Sequence, residues 1–134
     1  NEAGMGDDYL SWLDVWRRDI ELGMTTWGED SEVETTRSDC HAWGSSPNIE
    51  FFRILLGIES AAPYFERVRI EPHLGSMEKI NGEMPHPSGT ISVAYDQSDG
   101  GLEAEIILPE SVTGTFIWDG QTQELKGGRN TVRL

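Results

Sequence analysis

The chain has 134 residues, with ten Lys and Arg against 24 Asp and Glu, for a formal net charge of −14. That length holds one domain, or a small domain with a piece of another, and is too short for a complete large catalytic barrel. So acidic a chain lacks the basic surface that nucleic acid or an anionic membrane requires, whereas neutral and cationic ligands stay open.

The acidity is uneven: residues 1–62 carry four Lys/Arg against thirteen Asp/Glu, and residues 63–134 six against eleven. The opening stretch lacks an initiator methionine and a signal-peptide layout, and it enters a helical pattern almost at once. This is what a piece of a longer protein would look like. From Asp7 to Leu22, Tyr9, Leu13, Trp16 and Ile20 recur at three- and four-residue spacing, with Leu10 and Trp12 widening the stripe, which predicts an amphipathic helix closed by Gly23. Core packing is the plainer account of Trp12 and Trp16, and a sugar platform the sharper one.

Residues 25–43 read TTWGEDSEVETTRSDCHAW and crowd acids, aromatics, the only cysteine and a histidine into a connection of uncommon length. Glu29 follows Trp27 and Gly28 just beyond a helix end, where aromatic walls could tune a carboxyl for acid–base work. The bland alternative is a solvated surface acid, as Asp30, Glu32 and Glu34 look to be. Cys40 and His41 are neighbours without a cysteine-hydrolase signature, so a buried cysteine beside a hydrogen-bonding histidine is the default. With one cysteine there is no internal disulfide, and no metal site or cofactor is read from the spacing.

A second helix is expected at Ser46-Pro47, capped by the serine, running through Ile49, Phe52, Leu55 and Leu56 to Gly57. After Pro63 the period changes to two. Val68 and Ile70, then Ile91, Val93 and Tyr95, then Leu102 to Leu108, Phe116 with Trp118, and Thr131–Leu134 predict strands, with turns at Asp99-Gly100-Gly101 and Asp119-Gly120. Residues 63–134 thus read as a small antiparallel β-sandwich, with His73 and His86 in loops.

The run GMTTWGED…TRSDCHAWGSSPNIEFFRILLGIESAAPYFERVRIEPHLG resembles the C-terminal region of bacterial α-L-rhamnosidases, closely over residues 9–75 and loosely beyond. The resemblance implies an α+β chain: the last helices of an (α/α)6 barrel in residues 1–62, followed by a C-terminal β-sandwich in 63–134. It implies inverting hydrolysis of terminal α-L-rhamnosides, with Glu29 as the general base in a Thr-Thr-aromatic-x-Glu element matching Thr25, Thr26, Trp27 and Glu29. Gly28 intervenes where some relatives have none, leaving Asp30 as the competitor to Glu29. His41, Trp27 and Trp43 would bind the sugar. No general acid matches, so the isolated chain is expected to be inactive.

The partners implied are a rhamnose-containing oligosaccharide or glycoside and the remainder of the catalytic barrel, in a periplasmic or extracellular enzyme. Apolar residues left uncovered in the N-terminal half would favour self-association. Two other readings stay open. One is a non-catalytic carbohydrate-binding or interaction module with Trp118 as platform rather than sandwich core, and the other an (α/α)6 sugar hydrolase of different specificity.

Overall fold

The computed structural model describes residues 3–32, 34–98 and 100–134. Gly6–Leu13 wind as a 3-10 helix that passes directly into an α-helix, α1, over Asp14–Glu21. Tyr9 and Leu13 are buried and Trp16 packs beside them, but Trp12 is 50% exposed and Ile20 63%. Trp12 is therefore not core. Gly23 ends α1 with φ +75°, its N–H reaching Ile20 O while Met24 N–H reaches Asp19 O at 3.0 Å. These paired bonds satisfy the last carbonyls of the helix in a left-handed cap that glycine adopts without a Cβ clash.

The helix expected after Ser46 is broken. Pro47–Glu50 forms a single α turn, α2, with Pro47 at its first position and no side-chain cap from Ser46. Phe51–Leu55 then widens into a π turn in which Leu56 N–H bonds Phe51 O at 3.0 Å. The expected α+β class, with the last helices of an (α/α)6 barrel, is overturned. The described residues hold two short α-helices and no barrel helices, and the fold is a predominantly β sandwich. An apolar stripe marks which face turns inward without setting the winding. Here 3-10 and π turns satisfy the same stripe, and the polar stretch after Gly23 has no helical period to extend it.

Eight strands follow: β1 (Ile58–Ser60), β2 (Arg67–Ile70), β3 (Lys79–His86), β4 (Gly89–Asp96), β5 (Glu103–Leu108), β6 (Thr113–Trp118), β7 (Gln121–Leu125) and β8 (Gly128–Arg133). They form two four-stranded sheets, ordered β1-β2-β6-β7 and β3-β4-β5-β8. The sandwich is not wholly antiparallel as expected, because β2 and β6 run parallel, with Val68 opposite Gly114 and Ile70 opposite Phe116. A parallel pair needs a long connection, and three strands of the opposite sheet supply it.

The alternation read from the sequence carries the core: Val68, Ile70, Ile91, Val93, Ala104, Ile106, Phe116 and Val132 are all buried. Between the sheets the Tyr95 hydroxyl donates to Leu56 O at 2.8 Å, anchoring the preceding helical segment to the sandwich. Burial pushes this phenol well above its ordinary pKa.

Strands β1, β3 and β7 were not expected from the pattern. β3 contains Gly82 and Pro85, poor strand formers, yet it is an edge strand, where a proline's missing N–H is tolerated. Its last residue is His86, which is therefore not a loop residue. The Nδ1 of His86 accepts from Ser88 N–H at 3.0 Å, so Nε2 carries the proton and donates to Phe65 O at 3.1 Å. Of the turn at Asp99-Gly100-Gly101, Asp99 lies outside the described residues; Gly100 has φ +80°. Asp119 and Gly120 close the β6–β7 hairpin with φ +46° and +73°, the pairing of a type I′ turn.

Candidate functional site

The stretch from Thr25 to Trp43 folds back on itself as a clasp. Glu29 N–H donates to Ser38 O and His41 N–H to Trp27 O, both at 2.9 Å, and the Thr26 hydroxyl bonds Asp39 O. These bonds satisfy backbone groups that no helix or sheet serves, so the long connection is ordered by its own polar atoms. Arg18 of α1 lies 3.6 Å from Glu34, a further tie across the clasp.

Glu29 sits on the inner arm with its side chain 24% exposed. Arg37 grips the carboxylate with both prongs of its guanidinium: Nε donates to Oε2 at 3.1 Å, and Nη2 donates to Oε1. Such a fork aligns a planar carboxylate in its ionised form. The hydrogen bonds to Glu29, reinforced by the charge of the carboxylate, in turn hold the guanidinium above its ordinary pKa. Each carboxylate oxygen keeps a further lone pair, so a water can still be bound and deprotonated. Asp30, the competing acid, is used differently, as its Oδ1 accepts Glu32 N–H at 2.9 Å and closes a local turn.

Arg37 was missed in the sequence reading. The signal available was a lone cation set among acids, eight residues after Glu29, but only the fold-back puts the two side chains together. The sugar-binding candidates separate into two settings. The rings of His41 and Trp43 meet edge to face with centroids 6.0 Å apart, and Trp43 is 83% exposed. Trp27 is half-buried and lines an apolar groove of about 280 Å³ with Leu13, Trp16, Ile20, Pro47 and Phe51.

Gly44 lies against Trp27 so closely that a Cβ there would fall 2.5 Å from the tryptophan's own Cβ, and its carbonyl accepts the Trp16 indole N–H. Neither Glu29 nor His41 lines this groove. Cys40 is exposed rather than buried, which overturns the default reading of it as a small core residue. Among the described residues no three His, Cys, Asp or Glu side chains are grouped to hold a metal ion.

Comparison with known proteins places the chain in context. Residues 57–133 match the family described as the bacterial α-L-rhamnosidase C-terminal domain. An α-L-rhamnosidase of Alteromonas sp. (strain LOR) is 28% identical over 68 residues, covering 50% of this chain and 7% of that protein. Among solved structures, the Streptomyces avermitilis α-L-rhamnosidase complexed with L-rhamnose superposes with TM-score 0.76 at 18% identity, over 89% of this chain and 14% of that one.

The Aspergillus terreus α-L-rhamnosidase gives 0.74 at 14% identity, over 89% and 15%. The structural likeness thus extends beyond residues 57–133, and at these identities it speaks for the fold. The chain spans only about 7% of the curated relative and 14% to 15% of these solved chains. With more than half its residues matched by the family and its sandwich shared with these structures, the chain belongs to the bacterial α-L-rhamnosidase C-terminal domain family.

Proposed function

We propose that this chain supplies the general base of an inverting α-L-rhamnosidase, with Glu29 as the ionised carboxylate that takes a proton from the attacking water. The observation that carries this reading is the two-pronged grip of Arg37 on Glu29, which orients an only partly exposed carboxylate in a chain of this family. Inversion needs a second, protonated carboxyl about 6.5–9.5 Å away across the sugar ring. In this reading that acid comes from the rest of the enzyme. His41 would hydrogen-bond a ring hydroxyl, while Trp43 and Trp27 would offer apolar faces to the sugar ring and its methyl group.

The apolar groove beside Trp27 would be covered by the rest of the enzyme, and in the isolated chain by a second copy. Sedimentation of residues 1–134 as a strict monomer at high concentration would remove that last point. The decisive experiment is Glu29→Gln in the full-length enzyme. Turnover of an aryl α-L-rhamnoside is expected to fall by about 10²–10⁴-fold with the circular dichroism unchanged. Near-normal turnover would refute the base assignment, and retention of anomeric configuration in the product would refute inversion. Residues 1–134 alone are expected to release no rhamnose.

A further inference from the structure

A second cleft lies where three distant segments meet: the start of the 3-10 helix, the stretch after β2, and the β6–β7 hairpin. It holds about 450 Å³ and is lined by Asp7, Glu71, His73, Trp118 and Asp119, but not by Glu29 or His41. That volume is within the usual range of small-molecule sites, roughly 300–1,000 Å³. Its walls are fixed by backbone bonds, Glu71 N–H to Gly57 O and His73 N–H to Ile54 O, both 3.0 Å. Gly6 presses on the His73 imidazole, where any Cβ would lie 2.4 Å from the ring. The left-handed Asp119-Gly120 tip sets the direction of the hairpin wall.

The lining chemistry is that of polyol recognition. Glu71 is held by the Arg69 guanidinium, and Asp7 accepts Gly75 N–H at 3.4 Å and faces His73 Nδ1 at 3.8 Å. Both carboxylates are thus oriented while keeping lone pairs for ligand hydroxyls. Three carboxylates repel anions. Trp118 is half-buried, packing against the sandwich core while contributing to the cleft wall, and an indole surface suits the C–H face of a sugar ring.

We propose that this cleft is a saccharide-binding site for a neutral pyranose, with Trp118 as the apolar wall and Asp7, Glu71 and Asp119 as hydroxyl acceptors. The choice of a sugar as ligand rests on the glycosidase reading above. The mixed aromatic and carboxylate lining belongs to the cleft itself.

The test is titration of residues 1–134 with methyl α-L-rhamnoside and methyl α-glucoside, following the Trp118 indole N–H resonance, assigned with Trp118→Phe. A saturable shift is expected with one of these probes, weakened about tenfold or more in Asp7→Asn and in Asp119→Asn. Asp7 is exposed and Asn tolerates the left-handed turn, so neither change should unfold the chain. Absence of a saturable shift with both probes, a shift unaltered in both variants, or the same shift produced by calcium chloride alone would overturn the proposal. Glu29→Gln separates the two assignments. If it abolishes turnover in the full-length enzyme while no sugar shifts Trp118, the cleft fails and the base stands. If turnover survives while the shift persists, the base fails and the cleft stands.

Discussion

The sandwich and the segment before it hold themselves together in different ways. In the sandwich the large buried residues are nearly all aliphatic or aromatic, and the one buried hydroxyl, on Tyr95, has its acceptor in Leu56 O. In the N-terminal segment the buried cluster is four residues, Tyr9, Leu13, Ile54 and Leu55, with partly buried Leu10, Trp16, Met77 and Ile80 packed against it, while Trp12, Leu22 and Phe51 stay exposed. There Asp19 is 2% exposed with Oδ1 lacking a hydrogen-bond partner among the described residues. One region is closed by burial, and the other is shaped by polar clasps around apolar surface still open to a partner. The segment that positions a chemical group is thus the one whose order owes least to its own core.

Removing the sandwich's central aromatic is the strongest way to break this contrast. Phe116→Ala empties a fully buried site between the sheets and is expected to cost about 3–5 kcal/mol, lowering the chemical-denaturation midpoint of the whole chain. A small loss would mean that the sandwich is not the main source of stability.

The clasp is probed by Arg37→Met in the full-length enzyme, which leaves Glu29 without its aligning fork. Under the proposed base role of Glu29, a loss of roughly ten- to a hundredfold in kcat is expected, since a slightly misplaced catalytic group is costly. The melting transition should stay in place, because the guanidinium is 82% exposed. Unchanged kcat would make the pair a surface ornament.

Asp19→Leu tests the orphaned carboxylate oxygen. Replacing a buried polar atom that lacks a partner by an apolar side chain of similar branched shape should stabilise the chain by about 1–3 kcal/mol in denaturant titration. Destabilisation would show that the carboxylate has a partner in solution.

The smallest effect belongs to Tyr9, whose hydroxyl donates to Pro47 O at 2.9 Å and ties the 3-10 helix to α2. Burial, reinforced by the negative charge of Glu50, raises its pKa from 10.0 to about 12. An unfolded phenol ionises first, so this contribution is complete below pH 10.0 and is lost as pH rises toward about 12. Tyr9→Phe should cost about 1 kcal/mol at neutral pH. It should also flatten part of the alkaline loss of stability, leaving the part due to Tyr95, which shares the same direction of shift. An unchanged alkaline slope would count against the burial of Tyr9.

Strand alternation at Val68–Ile70, Ile91–Tyr95 and Leu102–Leu108 was legible because burying one face of a sheet imposes a period of two along the chain, whatever the partner strand. The Asp119-Gly120 turn was legible because few residues accept positive φ. Glu29 stood out by type and by resemblance, and its place in the clasp came only with the coordinates. Helix winding was not legible, since 3-10, α and π turns can all satisfy one apolar stripe.

By itself, then, the sequence determined which residues turn inward and where the chain reverses, because both are local consequences of side-chain chemistry and backbone sterics. Tertiary structure alone decided the parallel β2–β6 pairing, the Arg37 grip on Glu29 and the meeting of Asp7, His73 and Trp118. Each joins residues whose separation along the chain carries no periodic signal, so only long-range packing brings them together.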